Sequence, residues 1–287
     1  MPWANYHSHT VYCDGEKAPE FYVKEAIRQN LIAYGYSSHA PVPFSCDWTI
    51  PGNKIMSYVS DIEKIKQKYE DKIQIYLGLE IDYIPEITGI NASNPERLNL
   101  DYTIGSIHFV DILPNGERWS FDWTYDFFLK GLQEIFNNDV KKMVRRYYEL
   151  TKEMLVKNTP DILGHMDKIT MYNVKNKFFD PKEKWYLDET EELFRLIKEK
   201  DVIVEINTRG LYKNGLSLYP NPAFLKRIKE MNIPISISSD SHKPEEITFG
   251  LRQAADILRN EGIDETWILI DRHWKPFPFD SVKGIYV

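Results

Sequence analysis

Cysteine is almost missing from this chain: Cys13 and Cys46 are the two present in 287 residues, and no CxxC spacing occurs. A disulfide framework and a cysteine-rich zinc module are therefore excluded as the basis of the fold. Excess positive charge is missing too, with 36 Lys and Arg against 43 Asp and Glu, for a net charge of −7. That balance argues against a nucleic-acid partner, which needs a basic footprint. It leaves room for a small anionic substrate, because bound metal ions can supply local positive charge. No apolar run approaches the length of a membrane span, and the first ten residues carry no basic-plus-apolar signal pattern. The expectation is a cytoplasmic protein with no membrane partner. No Pro/Gly/Ser-rich linker, short repeat or low-complexity segment interrupts the chain, so residues 1–287 are read as a single domain. The sequence carries no signal for oligomeric state.

What is present is a regular alternation. Short apolar or β-branched runs fall at Trp3–His9, Ala33–Ser38, Ile73–Ile84, Tyr102–Val110, Ile162–His165, Val202–Thr208 and Ile233–Ser239. Helical patterns lie between them. Pro19–Gln29 opens on proline and stops at Asn30. Asn53–Tyr69 repeats apolar residues near a 3.6 period. Tyr125–Lys157 breaks near Asn137-Asn138, and Glu183–Lys200, Pro222–Glu230 behind an Asn221 cap, and Glu245–Asn260 follow. Seven strand–helix units predict a parallel sheet closed into a β/α barrel, with an open doubly wound sheet as the alternative. The longest excursion, Asp111–Asp161, separates strands four and five. Its aromatic start, Trp119 to Trp123, suits either a lid or the packing of the excursion itself. Thr266–Asp271 reads as an extra edge strand or a plug.

Six of the seven histidines fall at or just past the C-terminal end of a predicted strand: His7, His9, His39, His108, His165 and His242. In parallel α/β folds these ends share one face, where active sites form. His7-Ser8-His9 and Asp240-Ser241-His242 place ligand-type side chains at i and i+2, on one side of an extended segment. Glu80 sits in an apolar strand, where a lone charge is costly unless paired or metal-bound. Asp14 lies in a short loop after His9. Asp82, Asp167 and Glu205 are expected to support histidine ligands through the second ring nitrogen. Cys13 reads as a small buried thiol, and His273 as structural.

Together, His7-Ser8-His9 with Asp14, Ser38-His39-Ala40-Pro41, Gly78-Leu79-Glu80, Gly105-Ser106-Ile107-His108, Gly164-His165-Met166-Asp167 and Ser239-Asp240-Ser241-His242 resemble the polymerase and histidinol phosphatase (PHP) family. Within it the chain is similar to the stand-alone L-histidinol-phosphate phosphatases. The resemblance implies a distorted (β/α)7 barrel holding three divalent metal ions, with Mn, Zn or Fe all compatible with the ligands. It implies His7, His9, Glu80 and Asp240 around one metal. Glu80, His108 and His165 surround a second, and Asp14, His39 and His242 a third. Many family members have histidine where this chain has Asp14. Subfamily members often carry an arginine shortly after the strand-six glycine. Here Tyr212-Lys213 follow Gly210 and Arg209 precedes it, so Arg209 or Lys213 is expected to bind substrate phosphate.

The reaction so implied is hydrolysis of L-histidinol phosphate, a small-molecule phosphomonoester, to L-histidinol and phosphate in histidine biosynthesis. The expected route is attack on phosphorus by a hydroxide bridging metals linked by Glu80. Asp240, His242 or a water supplies the leaving-group proton. No GxSxG, P-loop or DxDx(T/V)-like stretch occurs, which argues against a covalent phosphoenzyme. Competing readings are a PHP-family nuclease or other phosphoesterase, a non-catalytic metal-binding PHP module, and a metal-dependent amidohydrolase. Trp48 and Trp119 could stack on an imidazole.

Overall fold

A computed structural model describes residues 2–93, 95–213 and 217–286. Seven parallel strands pair in chain order: Ala4–Asn5, Ala33–Tyr36, Gln74–Asp82, Tyr102–Ser106, Ile162–Leu163, Ile203–Asn207 and Ile235–Ser238. Past the last strand, Ser8 and Ser241 form a parallel bridge. The His9 amide donates to the Ser241 carbonyl at 2.8 Å, and the Ser241 amide to His7 at 3.2 Å. The result is a nearly closed barrel with its helices packed outside, as expected. Its strands are buried along nearly their whole length, which is why they read as continuous apolar runs.

The interior is filled by large side chains admitted by small ones. A Cβ on Gly35 or Gly78 would lie 2.4 or 2.5 Å from the Tyr102 side chain. Tyr102 uses that space to donate its hydroxyl to the Tyr6 carbonyl at 2.5 Å. Tyr6 in turn exchanges two hydrogen bonds with the Leu269 backbone, at 3.0 and 2.8 Å. Leu269 belongs to a separate antiparallel sheet of Glu265–Ile270, His273–Asp280 and Gly284–Ile285. This sheet packs on the N-terminal ends of the barrel strands, where Trp274 meets Tyr6 and Tyr102 edge-on. The expected extra strand is therefore part of a cover over the barrel floor. His273 lies exposed on it.

Strand four and the final helix depart most from expectation. Strand four stops at Ser106 instead of running to Val110, and Phe109–Ile112 pairs antiparallel with Arg118–Ser120. The chain turns off the sheet there because the His108 amide bonds to the Asp82 carboxylate at 2.9 Å. The long helical excursion is two helices, Tyr125–Glu134 and Val140–Lys157, broken where expected. Asn137 and Asn138 both adopt left-handed φ between them, and Thr124 and Asp139 cap the two N-termini. The final helix begins at Leu251, after a 3₁₀ turn at Pro244–Glu246, because Gly250 sits at φ 75°. Among the described residues no helix is long and apolar enough to cross a membrane.

Candidate metal centre

The strand ends deliver their polar side chains to one face. His7 and His9 follow strand one and His39 follows strand two. Glu80 projects from strand three, His108 follows strand four and His165 strand five. Asp240 and His242 follow strand seven. Asp14 reaches the same place through a tight loop, in which a Cβ on Gly15 would come 2.4 Å from the His9 carbonyl.

Glu80 is the hub. Its Oε2 lies 3.0 Å from His39 Nδ1, 3.1 Å from His7 Nε2 and 3.5 Å from His9 Nε2. Its Oε1 lies 3.0 Å from His165 Nε2 and 3.7 Å from His108 Nε2, and accepts the Ser106 hydroxyl at 2.7 Å. Asp240 Oδ1 is 3.2 Å from His9 Nε2 and 3.7 Å from His7 Nε2. Asp14 Oδ2 is 3.0 Å from His242 Nε2. All nine expected ligand residues thus meet. Eight of them form three overlapping groups whose ligand atoms lie within 4.8 Å of one another: His7, His9 and Asp240; His39, Glu80 and His108; and His9, Asp14, His39 and His242. The grouping differs from the expected sets in that His39 sits with Glu80 and His108 as well as with Asp14, and His9 approaches Asp14. His165 touches Glu80 without joining a group.

These residues fit a metal. His7 Nε2, His9 Nε2 and His39 Nδ1 are buried without a hydrogen-bond partner, yet all three face one carboxylate oxygen. An unpartnered buried polar atom costs about 1–3 kcal/mol, and a shared cation would satisfy all three. On His7 and His108 the outward nitrogen is already held. His7 Nδ1 lies 2.5 Å from Glu205 Oε1, and His108 Nδ1 lies 2.9 Å from Asp82 Oδ1. Such contacts fix the tautomer and aim the other lone pair inward. Glu205 and Asp82 therefore take the supporting place expected of them. Asp167 does not; its one hydrogen bond is from the Asn221 amide, at 2.8 Å, and its Oδ1 has no partner.

The titration behaviour has the same cause. Burial pushes His9 and His39 down to about 4, leaving neutral rings with free lone pairs at pH 7. Burial also opposes a charge on His7 and His108, but the neighbouring carboxylates prevail. Glu205, Asp240 and Glu80 hold His7 well above its ordinary value, and Asp82 and Asp122 lift His108 to about 9. Despite their own burial, Glu80 and Asp240 are held well below the usual carboxylate range by the histidines around them. The cluster is short of positive charge.

A cavity of about 360 Å³ opens over the cluster, with Asp47, Trp48, Asp122, Trp123, Lys168 and Arg209 in its walls. Lys168, which the sequence did not single out, pairs with Asp122 at 2.8 Å and lies 3.5 Å from His108 Nε2. Arg209 reaches the cleft but commits Nη1 to the Asp240 carbonyl at 2.6 Å, which Tyr212 also caps at 3.2 Å. The pair braces Asp240 in its left-handed conformation at φ 51°. The Lys213 side chain lies outside the described residues. Trp48 stands over the site, edge-on to His39 at 4.7 Å. Trp119 is fully buried in the excursion, away from the cleft. Cys13 Sγ lies 3.6 Å from His9 Nδ1.

The PHP domain profile matches residues 5–209. The chain belongs to the PHP domain family. Among PHP proteins it is 26% identical over 272 residues to the Schizosaccharomyces pombe protein named "Probable histidinol-phosphatase", covering 90% of this chain and 86% of that one. A histidinol phosphatase candidate from Listeria monocytogenes superposes with a TM-score of 0.75 at 22% identity, covering 87% of this chain and 99% of its own. The Lactococcus lactis histidinol phosphate phosphatase, solved with zinc, L-histidinol and phosphate, superposes with a TM-score of 0.65 at 19% identity, over 95% and 98% of the two chains. These two structures share the barrel of this PHP chain.

Proposed function

We propose that this PHP protein is a metal-dependent phosphatase that hydrolyses L-histidinol phosphate to L-histidinol and phosphate, a step of histidine biosynthesis. The observation that carries the reading is the convergence of unpartnered imidazole nitrogens on Glu80. It occurs in a chain whose relatives are named for this reaction. By resemblance to the family the sites take three divalent ions, Mn, Zn or Fe: one on His7, His9, Glu80 and Asp240, one on Glu80, His108 and His165, and one on Asp14, His39 and His242, with His39 placed to serve the second as well. Ions in such a donor set supply charge compensation for a phosphate dianion and an ionised water for attack on phosphorus.

The chain's own residues do the rest. Glu80 ties the sites together and keeps the histidines facing one point. Lys168 and Arg209 place two cations in the cleft wall, within reach of phosphate oxygens. Asp122 holds Lys168 charged and aimed. Asp240, held ionised, acts as ligand and acceptor and not as a proton donor. Asp47 offers an exposed carboxylate at the mouth, suited to the ammonium of histidinol. Closing water out of this cleft strengthens each contact.

The test is phosphate release from L-histidinol phosphate against a panel of other phosphomonoesters, before and after chelation. Chelation is expected to abolish turnover, and Mn²⁺, Zn²⁺ or Fe²⁺ to restore it. His7→Ala is expected to lose metal and rate together. Full activity in metal-free protein, or no preference for L-histidinol phosphate, overturns the reading.

A further inference from the structure

A second cavity, of about 440 Å³, adjoins the cleft. The two meet at Asp47, Trp48, Ser120 and Trp123, which line both. Beyond that junction the rings of Phe44, Phe109 and Phe127 line the walls beside Ser45, Cys46, Glu117 and Arg118. The Trp48 indole stacks on Phe109 at 5.2 Å and 17°, while its edge contacts run to His39 and to His108 at 5.4 Å. Phe44 meets Phe109 edge-on at 5.3 Å, and the Arg118 guanidinium lies 4.7 Å from the Phe44 ring centroid. Trp123 is 65% exposed and contacts Phe127 edge-on at 5.1 Å. The first cavity alone is near the lower end of the size range of small-molecule sites, enough for phosphate and a compact leaving group. A bare indole beside it, leading into a groove of rings, is binding surface that such a ligand leaves uncovered.

We infer that this groove is a subsite for a planar ring system larger than imidazole, so that the protein also hydrolyses aryl phosphomonoesters whose aromatic part extends past Trp48 and Trp123 toward Phe44. The inference rests on the phosphatase reading above. The occupant follows from the walls: ring faces and edges select a planar aromatic group, and continuity with the metal cleft places its phosphate end at the cluster. In the reaction the bond between phosphorus and the aryl oxygen breaks and one from water oxygen to phosphorus forms. The aryl oxygen leaves with a proton derived from that water, so the products are the free hydroxyarene and phosphate.

The experiment uses the full-length, metal-loaded chain. Steady-state kinetics compare 1-naphthyl phosphate, phenyl phosphate and glycerol 3-phosphate in wild type and Phe44→Ala, with L-histidinol phosphate as the reference ester. Calorimetry compares binding of naphthylmethylphosphonate and methylphosphonate. One added aromatic contact is expected to lower KM for the naphthyl ester about 3- to 10-fold below that for the phenyl ester. Phe44→Ala is expected to erase that difference, raising KM for the naphthyl ester at least about threefold more than for glycerol 3-phosphate. Equal KM values for the two aryl esters in wild type overturn the subsite, as does an equal rise for all three substrates in the variant. Tighter binding of the naphthyl phosphonate without hydrolysis of any ester, L-histidinol phosphate included, supports the groove as a binding surface and overturns the phosphatase reading. Equal phosphonate binding with no hydrolysis overturns both.

Discussion

Asp167 carries a burden that no neighbour relieves. It is fully buried, has a single hydrogen bond and leaves Oδ1 unpartnered. Burial pushes its carboxyl up to about 7, against an ordinary value near 3.9. Because the folded value is the higher one, the folded state holds its proton more tightly. Its contribution to stability is therefore complete below about pH 4 and is lost as pH rises through about 7. Asp167→Asn mimics the protonated form and does not titrate. Its stability relative to wild type is expected to rise by about 3 kcal/mol between pH 5 and pH 8, measured by denaturant unfolding at the two pH values. A difference that stays flat with pH would show that the wild-type carboxyl does not titrate there. Residues of this kind were only partly legible. The histidines announced themselves because each ends a strand. Asp167 ends one too, which is why it read as a histidine's partner, but its side chain turns toward Asn221. Lys168 was hidden because a lysine after a strand usually faces water, and its partner Asp122 arrives from the distant excursion.

The hairpin of Phe109–Ile112 and Arg118–Ser120 and the helix Tyr125–Glu134 form one unit, and Trp119 locks them. Its indole donates to the Phe127 carbonyl at 2.8 Å, and its ring lies over Gly131. The packing reading of Trp119 to Trp123 holds for part of the segment, and the rest of it forms cleft wall. Trp119 and Phe121 pack inward, while Ser120 and Asp122 line the cleft. That split follows the period of two of an extended segment, a signal present in the sequence and left unused. A Cβ at Gly131 would lie 2.0 Å from the Trp119 ring. Gly131→Ala gains helix propensity of about 1 kcal/mol but overpacks, at about 1–3 kcal/mol. The expected outcome is a lower melting temperature with a raised KM for L-histidinol phosphate, because Asp122 and Trp123 shift with the indole. An unchanged melting temperature and KM would mean that Trp119 moves freely, and that the hairpin does not need the lock.

At the scale of the molecule, the alternation of strand and helix made the seven-stranded barrel legible, since strands buried along their length leave continuous apolar runs. The covering sheet was not, because Pro276 and Pro278 fall inside His273–Asp280 and read as breakers. On its other edge this strand pairs with Gly284–Ile285 at Phe279 and Asp280, and Pro278 serves there as an acceptor, its carbonyl taking the Tyr286 amide at 2.8 Å, so its missing amide proton is not needed. The barrel gathers enough carboxylates at one end that the metal-free protein must find positive charge elsewhere, and it finds it in protons. His108, lifted by Asp82 and Asp122 to about 9 against its burial, and His7, lifted well above its ordinary value, both bind a proton more tightly folded than unfolded. Their contribution is complete below about pH 6.5, the unfolded value; that of His108 drains away as pH rises through about 9, and that of His7 as pH rises through its own raised value. Divalent ions in the same donor set would replace those protons, and would stabilise the folded state by mass action as well. The melting temperature of chelator-treated protein is therefore expected to fall by several degrees between pH 6.5 and pH 9.5, while that of metal-loaded protein stays nearly level. Parallel falls in both forms would mean that the ions do not take the place of the protons on His7 and His108, and would remove those two residues from the metal centre.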